Sequence, residues 1–209
     1  MTDMYDISFR SSGAEAGIVA DASAMKGDVV LPVQTHSCNC RIIGEDGCIP
    51  ELDDTDALIC LRRGVRIGVR TADCVPVVVY APDIHAVAAV HAGWRGSLGG
   101  ILSVTLRELV NLGADPAQME AAFGPSICGK CYEVSEELAM QFAQAGFAEC
   151  ISGKRNVDLE AVNMCRLLKA GVPLSNIKRK RCCTFETVEL PSWRREETTS
   201  RLLTWITLS

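Results

Sequence analysis

Three short segments each place a metal-competent side chain at the end of an apolar run: Gln34-Thr35-His36, Thr71-Ala72-Asp73-Cys74 and His91-Ala92-Gly93-Trp94-Arg95-Gly96. The chain has three histidines, and Cys74 falls in sequence between two of them, His36 and His91. Two imidazoles and one thiolate are the ligand count of a catalytic zinc, which keeps its fourth position open for water or substrate. The gaps between the three match no local zinc signature, so spacing alone does not join them.

Each candidate has a polar helper. Gln34 shares a face with His36 if the segment is extended, where it would orient a ligand or substrate. Asp73 can accept the free ring N–H of a ligating histidine, or take the proton of an activated water. Arg95 offers a guanidinium to an anion. Trp94 can wall a pocket, and Gly93 and Gly96 let the chain turn tightly into the helix that follows. Each also has a plainer reading: a hydrogen-bonded core histidine, a buried structural cysteine, a turn-capping Asp73. His85, in Pro82-Asp83-Ile84-His85, reads as a solvent-exposed turn residue.

The elements that must position these groups are short. Strand-like runs cover Ala57–Leu61, Arg66–Val69, Val75–Tyr80, Ala86–Val90 and Leu202–Leu208, separated by turn signals such as Arg63-Gly64. A helix is expected from Ser97, with Leu98, Ile101, Leu102, Leu106, Leu109 and Val110 as one apolar stripe that stops near Gly113. A second helix is capped by Ser135 and runs to Gly146; a third runs from the cap Asp158 to Ala170, closed by Gly171 and Pro173. Strands in clusters with helices between them indicate α+β rather than strict βαβ alternation. No linker, repeat or low-complexity tract interrupts the chain, so residues 1–209 read as a single domain.

Composition narrows the partners. With 48% hydrophobic and 22% charged residues, the 209-residue chain has ample material for a core. A net charge of −5 excludes a general basic footprint for nucleic acid, and Lys178-Arg179-Lys180-Arg181 reads as a solvated stretch. The acidic start Met1–Asp6 lacks the features of a signal peptide, and no apolar run reaches the length of a membrane span. Eleven cysteines, an odd number in a chain of this size, then read as reduced thiols of a cytoplasmic protein, most of them small buried hydrophobes. Cys128-Gly129-Lys130-Cys131 is a Cys-x-x-Cys pair, either half of a structural zinc site or a redox motif. Cys182-Cys183 could complete the former, but adjacent cysteines chelate one tetrahedral ion poorly, so a turn bordering the pocket is the preferred reading.

Taken together, Gln-x-His, Thr-Ala-Asp-Cys-Val-Pro, His-Ala-Gly-Trp-Arg-Gly, Gly-Pro-Ser-Ile…Cys-Tyr-Glu-Val and the late Cys183-Thr184 resemble the YfiH family. Its members are variously called laccase-domain proteins, polyphenol oxidases, peptidoglycan editing factors and purine nucleoside phosphorylases. The similarity runs from about Val33 to Arg201 and includes Asp158-Leu159 with Asn163. It departs late: the family has an aromatic before Ser-x-Arg-Arg and Thr-Gly-Arg after it, where this chain has Leu190-Pro191-Ser192-Trp193-Arg194-Arg195 and Thr199-Ser200-Arg201.

The resemblance implies a four-layer helix–sheet–sheet–helix fold with mixed sheets, shared with the catalytic domain of a deamidating toxin. It also implies zinc ligands His36, Cys74 and His91, and places Cys131 near the pocket rather than among the ligands. The expected activity is phosphorolysis of adenosine, inosine or methylthioadenosine, together with adenosine deamination. Asp73, Cys74 and His91 are the expected catalytic residues; Gln34, Arg95, Cys131, Arg194 and Arg195 the expected substrate-binding ones. Two alternatives keep the same residues: a peptidoglycan-precursor (UDP-MurNAc-L-Ser) amidase, and a metal-free cysteine hydrolase built on Cys74 and His91. Copper is the less favoured metal, since three histidines are too few for a multicopper cluster. The substrate is a small molecule in every case, and oligomeric state is not legible.

Overall fold

Short apolar runs build two main sheets that share an interior, beside one separate two-stranded antiparallel pair. In the computed structural model, which describes residues 5–25 and 27–209, the first strands are β1 (Tyr5–Ile7), β2 (Ala14–Val19), β3 (Cys40–Ile43), β4 (Ala57–Cys60), β5 (Ile67–Thr71) and β6 (Val75–Ala81). They are followed by β7 (Ala86–Ala92), β8 (Glu120–Phe123), β9 (Ile151–Ser152), β10 (Asn156–Val157), β11 (Ile177–Arg179) and β12 (Leu202–Leu208). The helices are α1 (Trp94–Gly99), α2 (Ile101–Asn111), α3 (Glu136–Phe142), α4 (Leu159–Ala170) and α5 (Trp193–Glu196). Met1–Met4, part of the amino-terminal stretch read above, and Lys26 lie outside the described residues.

One sheet is antiparallel, in the order β1-β2-β12-β5. The other is mixed, in the order β11-β8-β6-β7-β4-β3, with parallel pairs at both edges and antiparallel pairing inside. Strands β6 and β7 are buried on both faces, which is why they read as unbroken apolar runs. Val75, Val77, Val79, Ala88 and Val90 pack against Ile101, Leu102, Leu106 and Leu109 of α2 and Leu159, Val162 and Leu167 of α4. The alternate residues Val78, Tyr80, Val87 and Ala89 meet Ile67, Val69, Ile206 and Leu208 of the antiparallel sheet. Each fully buried Val or Leu contributes about 1.5–3 kcal/mol.

The layer order is therefore helices, mixed sheet, antiparallel sheet, and a last layer of one 3-10 turn, Ala22–Met25, over Val19, Leu203 and Trp205. The α+β architecture matches the sequence reading, with three local corrections. The helix expected from Ser97 is two helices, broken at Gly100, whose φ of 94° only glycine adopts cheaply. Val110 falls off the stripe and is 43% exposed. Helix α3 starts at the Ser135 cap as read, but ends at Phe142 and passes into a wider turn through Gly146. Helix α4 keeps both expected ends: Asp158 accepts from the Ala161 N–H, and Gly171 closes it in the left-handed region. Of the eleven cysteines only Cys60 and Cys150 are fully buried, so most are not simple core residues. Among the described residues no helix is long and apolar enough to cross a membrane.

Candidate metal centre and its cavity

Strand periodicity brings three of the site groups to one end of the mixed sheet. In β7 the side chains of Val87 and Ala89 face the antiparallel sheet, and His91 continues that row. In β6 the same row is Tyr80, Val78 and Pro76, and Cys74 lies one step before the strand. The register pairs Pro76 with His91, so Cys74 falls at the His91 end. In β4 the row is Cys60 and Leu58, with Asp56 one step before it; β4 runs antiparallel to β7, so Asp56 arrives at the same end.

His36 comes from a loop rather than a strand, which corrects the expectation that Gln34 and His36 share a pleat. The reason is Asp56. Its buried carboxylate accepts the backbone N–H of Thr35 (3.1 Å), His36 (3.1 Å) and Ser37 (2.7 Å), and the Ser37 hydroxyl (2.8 Å). Three consecutive N–H groups converge on one anion only where the backbone curls, and His36 accordingly has φ 65°. Asp56 also accepts from His91 Nδ1 at 2.6 Å, which leaves Nε2 of His91 as the ring nitrogen free to bind a metal. Asp56 was missed in the sequence reading. Its signal is a carboxylate immediately ahead of the wholly apolar Ala57-Leu58-Ile59-Cys60.

The ligand atoms of His36, Cys74 and His91 all lie within 4.8 Å of one another, with His36 Nε2 3.7 Å from Cys74 Sγ. The imidazole rings meet edge to face at 4.8 Å. Gly93 makes the approach possible, since a Cβ there would sit 2.5 Å from His36 Cδ2 and 3.1 Å from Cys74 Sγ. Asn163 of α4, fully buried, donates to Ser97 Oγ at 2.8 Å and so ties α4 to the helix that follows Gly93.

The electrostatics suit a thiolate. Burial raises the Cys74 thiol, but His91 and then His36 outweigh it and bring it down to about 6. Burial lowers His91, yet Cys74 and Asp56 drive it up to about 9. Burial also opposes ionisation of Asp56, whose bonds with His91 and Ser37 nevertheless hold it at about 2. A soft thiolate, two imidazoles and a carboxylate behind one of them form a donor set that fits a zinc-like ion.

These residues floor a cavity of about 760 Å³, whose walls include Trp94, Tyr132, Trp193, Arg70, Arg194 and Arg201. Gln34 lines it, but its amide is held by both backbone groups of Arg70 at 2.8 Å, so it fixes the loop to β5. Asp73 lines it with φ 83°, and its oxygens accept from Thr184 Oγ1 and from the Arg194 N–H, both at 2.6 Å. It holds the carboxy-terminal loop, and Asp56 rather than Asp73 orients a histidine. Arg194 lines the cavity and lies over the Tyr132 ring.

Three expected substrate contacts are placed elsewhere. Arg95 is exposed, does not line the cavity and stacks on Trp94, 4.3 Å from its centroid. Arg195 is drawn away by a ring of carbonyls, donating to those of Thr184 (2.7 Å), Phe185, Thr187, Val188 and Leu190 (2.6 Å). Cys131 lies behind the wall, one residue from Tyr132, beside Cys128 and Cys183; burial and those neighbours push its thiol up to about 12. In their stead the cavity has Arg70 and Arg201, and Thr71, whose hydroxyl has no partner among the described residues. The Ser200 that replaces the family's glycine does not have a positive φ, so Arg201 still reaches the cavity. His85 is exposed, as read.

An α+β fold of two main sheets, with a His₂Cys cluster that could hold a metal ion beside an arginine-walled cavity, defines the class of this protein. The family described as multi-copper polyphenol oxidoreductase laccase matches residues 14–209, and the chain belongs to that family. The hypothetical protein YfiH of Bacillus licheniformis superposes with a TM-score of 0.82 at 27% identity, over 90% of this chain and 78% of that one. YlmD of Geobacillus stearothermophilus, 22% identical, shares the fold over 99% of both chains with a TM-score of 0.81. Among curated relatives, adenosine deaminase RL5 from an unknown prokaryotic organism is 39% identical over 171 residues, 75% of this chain and 65% of that one. A purine nucleoside phosphorylase of Streptomyces coelicolor is 34% identical over 183 residues, 86% of this chain and 75% of that one. The chain thus spans just under two thirds of the deaminase relative's length.

Proposed function

We propose that this chain is a zinc-dependent purine nucleoside phosphorylase that also deaminates adenosine. The observation that carries the reading is the open His36–Cys74–His91 set at the floor of a cavity that combines aromatic walls with three guanidinium groups. Aromatic faces suit a purine, and guanidinium groups suit phosphate. The names of the relatives point the same way.

In this reading His36, Cys74 and His91 hold the metal, which when bound supplies Lewis acidity. Trp94, Tyr132 and Trp193 enclose the base. Arg70 and Arg201 hold hydrogen phosphate so that one of its oxygens attacks ribose C1′. The C1′–N9 bond breaks, its electron pair leaves with the purine, and the purine takes up the proton the phosphate carried, leaving ribose 1-phosphate and the free base. In deamination water adds at purine C6, Asp73 takes a proton from that water and passes it to the C6 amino group, and the C6–N bond breaks to release ammonia. Asp73 has the capacity for this, because two bonds occupy only part of the roughly four acceptor positions of a carboxylate. Asp56 holds His91 in one tautomer throughout.

The test is an assay of the purified protein on inosine plus phosphate, on adenosine with and without phosphate, and on UDP-MurNAc-L-Ser. Phosphate-dependent release of hypoxanthine, lost on Cys74→Ala, is the expected result. Hydrolysis of the serine-bearing precursor alone would overturn it in favour of the amidase. A second reading has one observation in its favour: the His91 imidazole lowers the Cys74 thiol and Cys74 raises His91, the directions that favour a thiolate–imidazolium pair. Full activity in chelator-treated, metal-free protein would establish that cysteine-hydrolase reading instead.

A further inference from the structure

The Cys-x-x-Cys turn, set aside above as half a site, finds its other half in the fold. Cys128, Cys131, Cys183 and Glu186 place one ligand atom each within 4.8 Å of all the others. Adjacent cysteines would chelate poorly, but only one of the adjacent pair takes part. Cys183 turns toward Cys128 and Cys131, while Cys182 lies 3.5 Å from Thr187 Oγ1 and packs beside Ile18, Leu190 and Leu202. We propose that Cys128, Cys131 and Cys183, with Glu186 as the fourth ligand, bind a structural Zn²⁺ ion separate from the His36–Cys74–His91 centre.

Three observations support this. A tetrahedral zinc with Zn–S bonds of about 2.3 Å sets its sulfurs about 3.8 Å apart, so ligand atoms within 4.8 Å close on the ion by small side-chain rotations. The Cys128 N–H points at Cys183 Sγ at 3.3 Å, an N–H···S bond that favours a thiolate there. The surroundings also carry compensating charge. Three thiolates and a carboxylate outweigh a divalent ion by two negative charges; of the cations lining the adjoining cavity of about 360 Å³, Arg179 is paired with Glu160, which leaves Lys130 and Arg181 to offset the site beside Asp158. Lys130 Nζ is 2.8 Å from Glu186 Oε1, close enough to screen a ligating carboxylate. Binding releases the thiol protons and changes no oxidation state.

The location gives the ion a purpose. A backbone bridge between Ser126 and Cys183 already joins the two loops, with the Thr184 N–H donating to Ser126 O at 3.1 Å. Cys131 precedes Tyr132, which walls the main cavity, and Cys183 precedes Thr184, whose hydroxyl holds Asp73. An ion shared by the two loops therefore staples the Tyr132 wall to the Asp73 anchor from behind. This inference is independent of the substrate assigned to the main cavity.

Metal content of the full chain purified from zinc-supplemented medium tests it. Wild type should hold one zinc more than Cys128→Ser/Cys131→Ser, and His36→Ala/Cys74→Ala should lose the other ion while keeping this one. A measurement on wild type needs no variant to fold: Co²⁺ loading should give thiolate-to-cobalt charge transfer in two saturating steps, the stronger from the three-thiolate site. No thiolate-to-cobalt charge transfer in His36→Ala/Cys74→Ala, zinc content unchanged in Cys128→Ser/Cys131→Ser, or a disulfide among these cysteines in protein purified without oxidant would overturn the proposal.

Discussion

Replacing Asp56 with Asn tests the frame of the metal centre without touching a ligand. The buried carboxylate accepts two hydrogen bonds at Oδ1, from His36 N and His91 Nδ1, and three at Oδ2, from Thr35 N, Ser37 N and Ser37 Oγ. An amide has one acceptor oxygen, so its NH₂ must face at least two of those donors. At about 1–3 kcal/mol for each buried donor left without an acceptor, and with a charge-assisted bond to His91 among them, Asp56→Asn should destabilise by about 3–5 kcal/mol. In a chain of this size that is a drop in Tm of about 6–20 °C. His91 also loses the group that fixes its tautomer, so metal affinity should fall about 10- to 100-fold. Differential scanning calorimetry and a competitive zinc titration read the two effects separately. A Tm within about 2 °C of wild type, with zinc affinity within about twofold, would refute the assignment of Asp56 as the organiser of the site.

Four further outcomes are expected. Since Asp56 titrates near 2 in the fold against 3.8 ordinarily, it contributes about 2 kcal/mol that is fully present above pH 4 and lost as pH falls toward 2; acid unfolding of Asp56→Asn should lack that limb. Gly93→Ala keeps an allowed backbone, with φ −70° and ψ 179°, but pushes a methyl into His36 and Cys74; zinc affinity should drop at least about 10-fold with near-wild-type circular dichroism. Arg195→Ala removes the clamp on five carbonyls and should cost about 2–4 kcal/mol in urea unfolding, with little recovery in Arg195→Lys, because a lysine lacks the guanidinium fork. Arg201→Ala should raise KM for phosphate about 10-fold and leave kcat for phosphate-independent deamination near wild type, whereas Arg95→Ala should change neither.

Local rules made a good part of this protein legible. The α+β class, the strands around the three motifs, the caps of α4 and the terminal strand follow from periodicity and capping, which act over a few residues. The missed strands lack those signals: β8 is Glu-Ala-Ala-Phe and β2 carries Ala and Gly where strands favour β-branched residues, so each is a strand only because its neighbours pair with it.

Placement of charge was decided by tertiary packing. Arg194, Arg195 and Arg201 look alike in sequence, yet Arg194 and Arg201 line the cavity while a ring of carbonyls draws Arg195 away. Arg95 sits within the most distinctive motif yet does not line the cavity, while the unremarked Arg70 takes a place in the wall. The sequence by itself determined the His36, Cys74 and His91 motifs and the strand ends that bear Cys74 and His91, but not the loop that carries His36. Only the fold joined Asp56 to His91 across 35 residues and Cys183 to Cys128 across 55, because a buried carboxylate or thiol takes whichever partners the packed loops deliver, and no short-range pattern encodes that.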